Sequence, residues 1–357
     1  MLRAAKFLEF IRWKDWALGK IPIFCMICFY IALAYRKFSI SYIEDFFIFI
    51  VFASSVAIYG YLINDLGDRK LDLLHGKRNS FENLNRGAIA LVFLVIICVM
   101  TLSAMAFVHR SWFLPLWLIQ VFLSTSYSIP PFRFKERGTI GLIANFIAQF
   151  FLAVAVIFAA FGCFGGWDMI VFLICVTVSG VALEIGHQKY DFARDSQTET
   201  GTFAVRKGYD FTAKMYGSAL QLDKLSTGIL IAVMVVKIPW VTLPLIHLTI
   251  TPILPLAIIY FVLYFQTMKK SLLRPNKSRV IDPYYSGKRG IFHAMHVLFP
   301  YNVMPIYLAG LMTCYYYCNL IIIIFFILWI ILGRCLSFPK TGFWESIRAI
   351  LKGTEEG

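Results

Sequence analysis

Residues 61–72 read YLINDLGDRKLD, and they close an apolar run that begins near residue 43. That run is long enough for a transmembrane helix, which needs ~20 mostly apolar residues. It breaks off into Asp65, Asp68 and Asp72. The same transition recurs at 183–199, LEIGHQKYDFARDSQTE, where an apolar span over 168–186 gives way to Asp191, Asp195 and Glu199. Helical residues three or four apart share a face. Each triplet therefore forms an acidic stripe at the end of a span, the first at i, i+3, i+7 and the second at i, i+4, i+8. Two membrane helices ending in carboxylate stripes decide the fold class: an all-α polytopic membrane protein.

The rest of the chain agrees. Of 357 residues, 59% are hydrophobic and 15% charged, with a mean hydropathy of +0.73. Soluble domains average about 45–50% apolar and roughly 25% charged. Further spans read at 16–35, 88–108, 111–131, 139–162, 225–243 and 249–267, the last two split at Pro239, Pro244, Pro252 and Pro255. A final apolar stretch over 303–333 suits one tilted helix or two short ones, so the count is nine or ten, with nine preferred. The expected layout is an interfacial helix over 1–15, a membrane domain over 16–333 and a polar tail over 334–357.

The net charge of +14 would suggest nucleic acid in a soluble protein. Here its distribution explains it. With the N-terminus cytoplasmic, 25 of the 34 basic residues fall on one side, while Arg36, Lys37, Arg110 and Lys237 fall on the other. Basic loops mark the cytoplasmic side, so no nucleic-acid partner is expected. Nine spans put the tail outside and ten bring it inside. The expected location is a multi-pass integral membrane protein, in the cell membrane if bacterial, with its site facing the cytoplasm. The N-terminus carries no cleavable signal pattern. Cys25 and Cys28 form a CxxC within a span and read as packing rather than metal ligands.

Carboxylates at such spacing repel and weaken a helix. A hard divalent cation compensates them, and Asn64 adds a carboxamide oxygen. Mg2+ takes one or two carboxylates and completes its shell with substrate phosphates. Two facing stripes thus suit Mg2+ and a diphosphate. The competing reading is a solvated acidic loop with local salt bridges. Residues 127–138, YSIPPFRFKERG, add the basic cluster Arg133, Lys135 and Arg137 and the hydroxyl of Tyr127, a phosphate site or ordinary flanking charge.

These residues resemble the UbiA superfamily of intramembrane prenyltransferases. Asn64, Asp65, Asp68 and Asp72 match every fixed position of its NDxxDxxxD motif. Asp191, Asp195 and Glu199 match DxxxDxxxD with Glu for the third acid. Residues 127–135 resemble YSxPPxRLK with Phe134 for Leu, and Gly201, Thr202 and Gly208 resemble a GxxT…G ending. His75 to Asn79 also resembles the segment after the first motif. The resemblance implies a nine-helix bundle around a central cavity and Mg2+-dependent ionisation of a prenyl diphosphate. It places metal binding on Asn64, Asp68, Asp191 and Asp195, and diphosphate contacts on Tyr127 and Lys135 with Arg133 assisting. Asp65, Asp72 and Glu199 fall in supporting or phosphate-side positions.

Glu184, an acid inside a span, is a functional candidate. It would orient an acceptor or take its proton, and the alternative is an acid paired to His187 or a lysine. His187 and Gln188 resemble an HQ pair of some family members. Asn145 and Gln149 read as interhelical glue or acceptor ligands, and His293 and His296 as an interfacial helix rather than a metal pair. Three functions follow: prenyl transfer to a lipophilic, membrane-associated acceptor, prenyl diphosphate cyclisation without an acceptor, and a cation or polyphosphate carrier. Acids clustered at one face rather than mid-span disfavour the carrier.

Overall fold

The computed structural model describes residues 2–74, 76, 78–198, 200–243, 248–272, 282–284 and 290–337. Glu199, His75, Lys77 and the tail beyond Ser337 lie outside them. Short helices α1 (Leu2–Phe10) and α2 (Trp13–Trp16) precede the bundle. Its first half comprises α3 (Lys20–Ala34), α4 (Ile40–Leu74), α5 (Arg86–Ala104), α6 (Phe113–Ser128), α7 (Thr139–Phe146) and α8 (Leu152–Ala160). A π-helical turn, Ile147–Phe151, joins the last two. Then come α9 (Trp167–Gln197), α10 (Phe203–Lys207), α11 (Tyr209–Lys237), α12 (Leu254–Leu272), α13 (Ile291–His293), α14 (Met304–Tyr315) and α15 (Leu320–Ser337). A π-helical segment, Ala294–Val303, links α13 to α14.

Six of the described helical stretches are long and apolar enough to cross a membrane, and Lys20–Ala34 and Tyr317–Gly333 are shorter apolar helices. The 303–333 stretch takes the two-helix option, divided at Tyr317–Asn319. Two expectations change. The span drawn at 225–243 is a helix over Tyr209–Lys237, so most of the expected loop before it is helical. The proline-rich centre is a short antiparallel hairpin, Val241–Leu243 with Leu248–Ile250, and the next helix starts at Leu254. Prolines lack the N–H that a helix interior needs.

Burial follows residue chemistry. Phe49 meets Phe52, Phe107 and Phe161 with ring centroids 5.8, 6.0 and 5.5 Å apart, and Phe52 meets Phe113 at 5.3 Å. Offset and edge-to-face rings at such spacing add to area burial. The outer faces are also apolar: Leu91, Leu94 and Leu102 on α5, and Ile258, Phe261 and Phe265 on α12, are exposed. A soluble surface rarely carries so broad an apolar face, whereas lipid accepts it.

Length separates the two ends of the bundle. At 1.5 Å per residue, the 35-residue α4 is about 52 Å long and the 31-residue α9 about 46 Å. The hydrocarbon core is about 30 Å thick, so both helices outrun it. Asp65, Asp68 and Asp72 ride on the final turns of α4, and Asp191 and Asp195 on those of α9, rather than on loops. At the other end of α9, Asp168 is 0% exposed. It accepts from Tyr30 Oη at 2.6 Å and Tyr35 Oη at 2.9 Å, and pairs with Lys237 at 3.3 Å. Lys37 donates to the Phe161 carbonyl at 2.8 Å and Arg110 pairs with Asp45 at 3.6 Å. The basic residues expected opposite the acids thus serve largely as ties among α3, α4, α8, α9 and α11.

His293 and His296 are both buried within the protein. His293 Nδ1 lies 3.0 Å from the Pro283 carbonyl, and His296 Nδ1 lies 2.5 Å from Asp223 of α11. A buried acid on a neighbouring helix draws the imidazole inward, and Asp223 was invisible as a partner in the sequence. Cys25 and Cys28 are buried and free, as packing residues should be.

Breaking a buried ion pair by removing one partner costs about 3–5 kcal/mol. Asp168→Ala should therefore lower the melting temperature of the detergent-solubilised protein well beyond Tyr35→Phe, which removes only one neutral donor. Identical melting of Asp168→Ala and wild type would dismiss this clamp.

Candidate active site

The first acidic stripe does not behave as one unit. Gly67 faces the C-terminal turn of α6 so closely that a Cβ there would stand 2.5 Å from the Ser128 carbonyl oxygen. Only glycine permits this approach, which sets Asn64 beside Ser128: Ser128 Oγ donates to Asn64 Oδ1 at 3.0 Å. Lys135 Nζ donates to the same Asn64 oxygen at 3.0 Å and to Asp68 Oδ1 at 2.5 Å. One ammonium thus bridges the two motif residues best suited to hold a metal. Burial lowers the Lys135 pKa below the ordinary lysine value, and the Asp68 carboxylate works against that shift.

Arg133 fixes the loop that carries Lys135. Its backbone is left-handed, φ 40°, which costs a non-glycine residue roughly 1 kcal/mol or more. Its guanidinium offsets this by donating to the Gly67 carbonyl at 2.9 Å, the Ser128 carbonyl at 3.2 Å, Asp68 at 3.1 Å and Glu136 at 2.6 Å. Gly138 N donates to the Gly201 carbonyl at 3.2 Å, and Arg206 donates to the Gly201 and Glu136 carbonyls at 3.0 and 2.7 Å. The turn after α9 is thereby fastened to the basic loop, and the second acidic helix end is held over the first.

On α9, Asp191 pairs with Arg194 at 2.6 Å and with His187 at 3.4 Å, and Asp195 stands 4.0 Å from Arg194. Gln188 Nε2 donates to Glu184 Oε1 at 3.1 Å.

Asn64, Asp68, Asp72, Tyr127, Arg133, Lys135, Glu184, Asp191 and Asp195 all line one cavity of about 790 Å³. Its apolar wall includes Phe24, Phe49, Phe52, Ala53 and Val56. Along α4, Phe49 to Asp68 spans 19 residues, about 28 Å, so the cavity runs from a charged mouth to an aromatic floor.

Asp65 is an exception. It is 5% exposed and borders a smaller cavity of about 430 Å³ instead. Its carboxylate accepts from Arg12 at 2.7 Å and from Ser80 Oγ at 2.5 Å, holding α1–α2 and the turn at Ser80 against α4. Helix geometry turns i+1 away from the Asn64–Asp68 face. Burial opposes the charge of Arg12, and Asp65 and Asp15 more than restore it. Asp72 borders both cavities and accepts from Asn79 at 2.8 Å.

Among the described residues no three His, Cys, Asp or Glu side chains form a ready metal cage. The donor set still fits Mg2+. Hard oxygens from Asn64, Asp68, Asp191 and Asp195 face one cavity, and such an ion takes few protein ligands when phosphates supply the rest. The sequence did not single out Arg12, Lys20, Tyr61, Gln120 or Arg194, which also line the cavity. A lysine opening an apolar helix was the visible clue to Lys20.

Loss of a charge-assisted hydrogen bond costs about 1.5–3 kcal/mol. Asp65→Asn should therefore speed tryptic cleavage at Arg12 and Lys14 by about tenfold through local opening of the N-terminal helices. An unchanged cleavage rate would refute the tethering role of Asp65.

The model of the UbiA prenyltransferase family matches residues 24–282. A curated relative, the lycopene elongase/hydratase of Halobacterium salinarum, is 33% identical over 101 residues. That match covers 28% of this chain and 36% of the relative's length. The fold resembles a UbiA homologue from Archaeoglobus fulgidus solved with GPP and Mg2+, at TM-score 0.53 and 17% identity over 86% of this chain and 99% of that one. It also resembles a structure described for digeranylgeranylglyceryl phosphate synthase, at TM-score 0.52 and 14% identity over 86% and 98%.

Proposed function

The chain belongs to the UbiA prenyltransferase family, and from that premise we propose that it transfers a prenyl group from a prenyl diphosphate to a lipophilic acceptor, with Mg2+ as cofactor. The supporting observation is the convergence of Asn64, Asp68, Lys135, Asp191 and Asp195 at the mouth of one cavity with an aromatic floor. An aqueous diphosphate suits the mouth and an isoprenoid tail suits the floor. The Archaeoglobus fulgidus homologue, solved with GPP and Mg2+, adds weight to this reading.

Asn64, Asp68, Asp191 and Asp195 would hold Mg2+, which when bound neutralises the charge gathering on the leaving diphosphate. Lys135 supplies the mobile cation. Its ammonium can exchange Asp68 for a diphosphate oxygen. Arg133 remains on Gly67 and Ser128 and keeps the loop in place. Tyr127 donates its hydroxyl to a diphosphate oxygen. Asp72 and Glu199 support the phosphate side, and Asp65 acts through Arg12.

The allylic C–O bond breaks and its electron pair leaves with diphosphate. The developing allylic cation is met by aromatic ring faces, which stabilise positive charge. The acceptor's nucleophilic atom bonds to the allylic carbon, and its proton passes to Glu184. The floor excludes water, which would otherwise capture the cation. The basic loops at the acidic end support a cytoplasm-facing mouth.

Removing a single preorganised group at a developing anion costs about 10²–10³ in rate. Lys135→Met should fall in that range, while Asp68→Ala, Asp191→Ala and wild type in EDTA should release no detectable diphosphate, with size-exclusion profiles unchanged. Full activity in Asp68→Ala, Asp191→Ala or EDTA would sink the metal assignment. A cyclic hydrocarbon formed from prenyl diphosphate alone would replace transfer with cyclisation.

A further inference from the structure

Two segments from opposite ends of the chain meet beside the diphosphate mouth, both outside the residues that the family model covers. One is the strap of residues 9–18, which carries Arg12. The other is α15.

α15 lies against the first half of the bundle and runs toward its acidic end. Just before it, Tyr315 stacks on Phe38, in the turn between α3 and α4, with ring centroids 5.1 Å apart. Phe325 meets Phe46 and Phe47 of α4 at 6.3 and 5.1 Å, and Phe326 meets Phe29 of α3 at 5.7 Å. Trp329 then reaches the strap. Its Nε1 donates to the Ala17 carbonyl at 2.8 Å, and its ring lies 4.9 Å from Trp13 and 6.4 Å from Trp16. One turn on, a Cβ at Gly333 would stand 2.5 Å from Leu18 Cδ2. Ile322, Phe326 and Ile330, at i, i+4 and i+8, are buried, whereas Ile324, Leu328 and Ile331 are exposed.

The strap needs such a hold. Arg12 turns the chain between α1 and α2 in the left-handed region, φ 55°. A non-glycine residue persists there only when its surroundings fix it. The Arg12 guanidinium donates to Asp65 and to Asp15, each at 2.7 Å. Ser80 Oγ donates to the Phe10 carbonyl at 3.1 Å, and Tyr61 Oη to the Asp15 carbonyl at 3.0 Å. Apart from Asp15, these partners belong to α4 and the turn that follows it. Trp329 adds a hold from the far end of the chain.

The seat of the strap matters to the mouth. Arg12 lines both cavities, and the smaller one is also lined by Asn64, Asp68 and Asp72. With the strap seated, Arg12 neutralises Asp65. With the strap lifted, an uncompensated carboxylate would stand less than one helical turn from Asp68. Its field would oppose an incoming diphosphate.

We propose that Trp329 is a positioning residue: through it α15 seats the N-terminal strap, so that Arg12 neutralises Asp65 beside the diphosphate mouth. This role rests on the prenyl-transfer reading above and names a residue that serves the same site from a distance. Trp329 itself lines neither cavity.

The test uses the full chain in lipid nanodiscs and two readouts: the rate of tryptic cleavage at the exposed Lys14, and the dissociation constant of labelled GPP with Mg2+. Trp329→Phe keeps a ring and loses only the N–H. It should speed cleavage about 2- to 10-fold, the range of one neutral hydrogen bond. Trp329→Ala should speed it further and raise the GPP dissociation constant about 3- to 30-fold, the range of one uncompensated charge near the site. Arg12→Met should raise that constant to a similar extent. Adding Trp329→Ala to Arg12→Met should raise it no further, because both act through Asp65. A general packing defect would instead add its full effect to that of Arg12→Met.

Unchanged Lys14 cleavage in both Trp329 variants overturns the inference. So does faster cleavage with unchanged GPP affinity, or a Trp329→Ala effect on GPP that adds in full to Arg12→Met. Failure of wild type to retain GPP overturns the prenyl-transfer reading instead, and cleavage at Lys14 then decides by itself whether α15 seats the strap.

Discussion

Carboxylates stacked along a helix end repel one another, and two such ends brought together repel more. The bundle closes there because cations from elsewhere in the chain reach into the gap. Lys135 meets Asp68 and Asn64. Arg133 meets Asp68 and two carbonyls at the α4–α6 crossing. Arg12 meets Asp65, and within α9 itself Arg194 meets Asp191. Much of the local architecture serves this compensation. Gly67 lets α4 approach Ser128, the left-handed turn at Arg133 aims its guanidinium back at that crossing, and Arg206 fastens the loop to the turn beyond α9. The interaction that permits folding without a ligand also has the charge layout of a metal-diphosphate site.

The compensating cations differ in how firmly they are committed. Arg133 spends four donor contacts on the protein, two of them on backbone carbonyls. Moving it would free those carbonyls and the left-handed turn together. Among the described residues Lys135 contacts two side-chain oxygens, and its burial already weakens its hold on a proton. An ammonium is a compact point charge on a flexible stem, whereas a guanidinium is a rigid fork. The planar group therefore suits the scaffold and the mobile group suits exchange between Asp68 and an incoming diphosphate.

Much of this was legible in the sequence. The apolar runs gave the membrane class, and the NDLGD and YDFARD segments gave both halves of the acidic site, because helical spacing alone groups those residues. Three things were not legible. Asp65 reads as a member of its stripe, but its partner, Arg12, is 53 residues away and comes from a segment whose amphipathic pattern spoke only of an interface. The register of α11 was misplaced because Asp223 and Lys224 look like loop charges until His296 and Tyr264 are seen beside them. The pairing of Val241–Leu243 with Leu248–Ile250 has no signal in the sequence, since prolines forbid helix interiors but do not specify what replaces them.

The cavity divides by how its charges are satisfied. At the mouth, each leading acid has a cation that substrate and metal can displace, so the site is neutralised while it waits. Farther in, Lys20 and Glu184 rest on amides and a ring, and the aromatic floor around Phe49 and Phe52 carries no charge. Such a gradient suits a reaction in which two charges separate along one axis. The anion leaves toward the region rich in cations and ligating oxygens, and the allylic cation forms where ring faces replace water. In the proposed reaction an acceptor would enter between these regions. It would place its nucleophile against the allylic carbon and its departing proton near Glu184, whose carboxylate Gln188 holds at 3.1 Å.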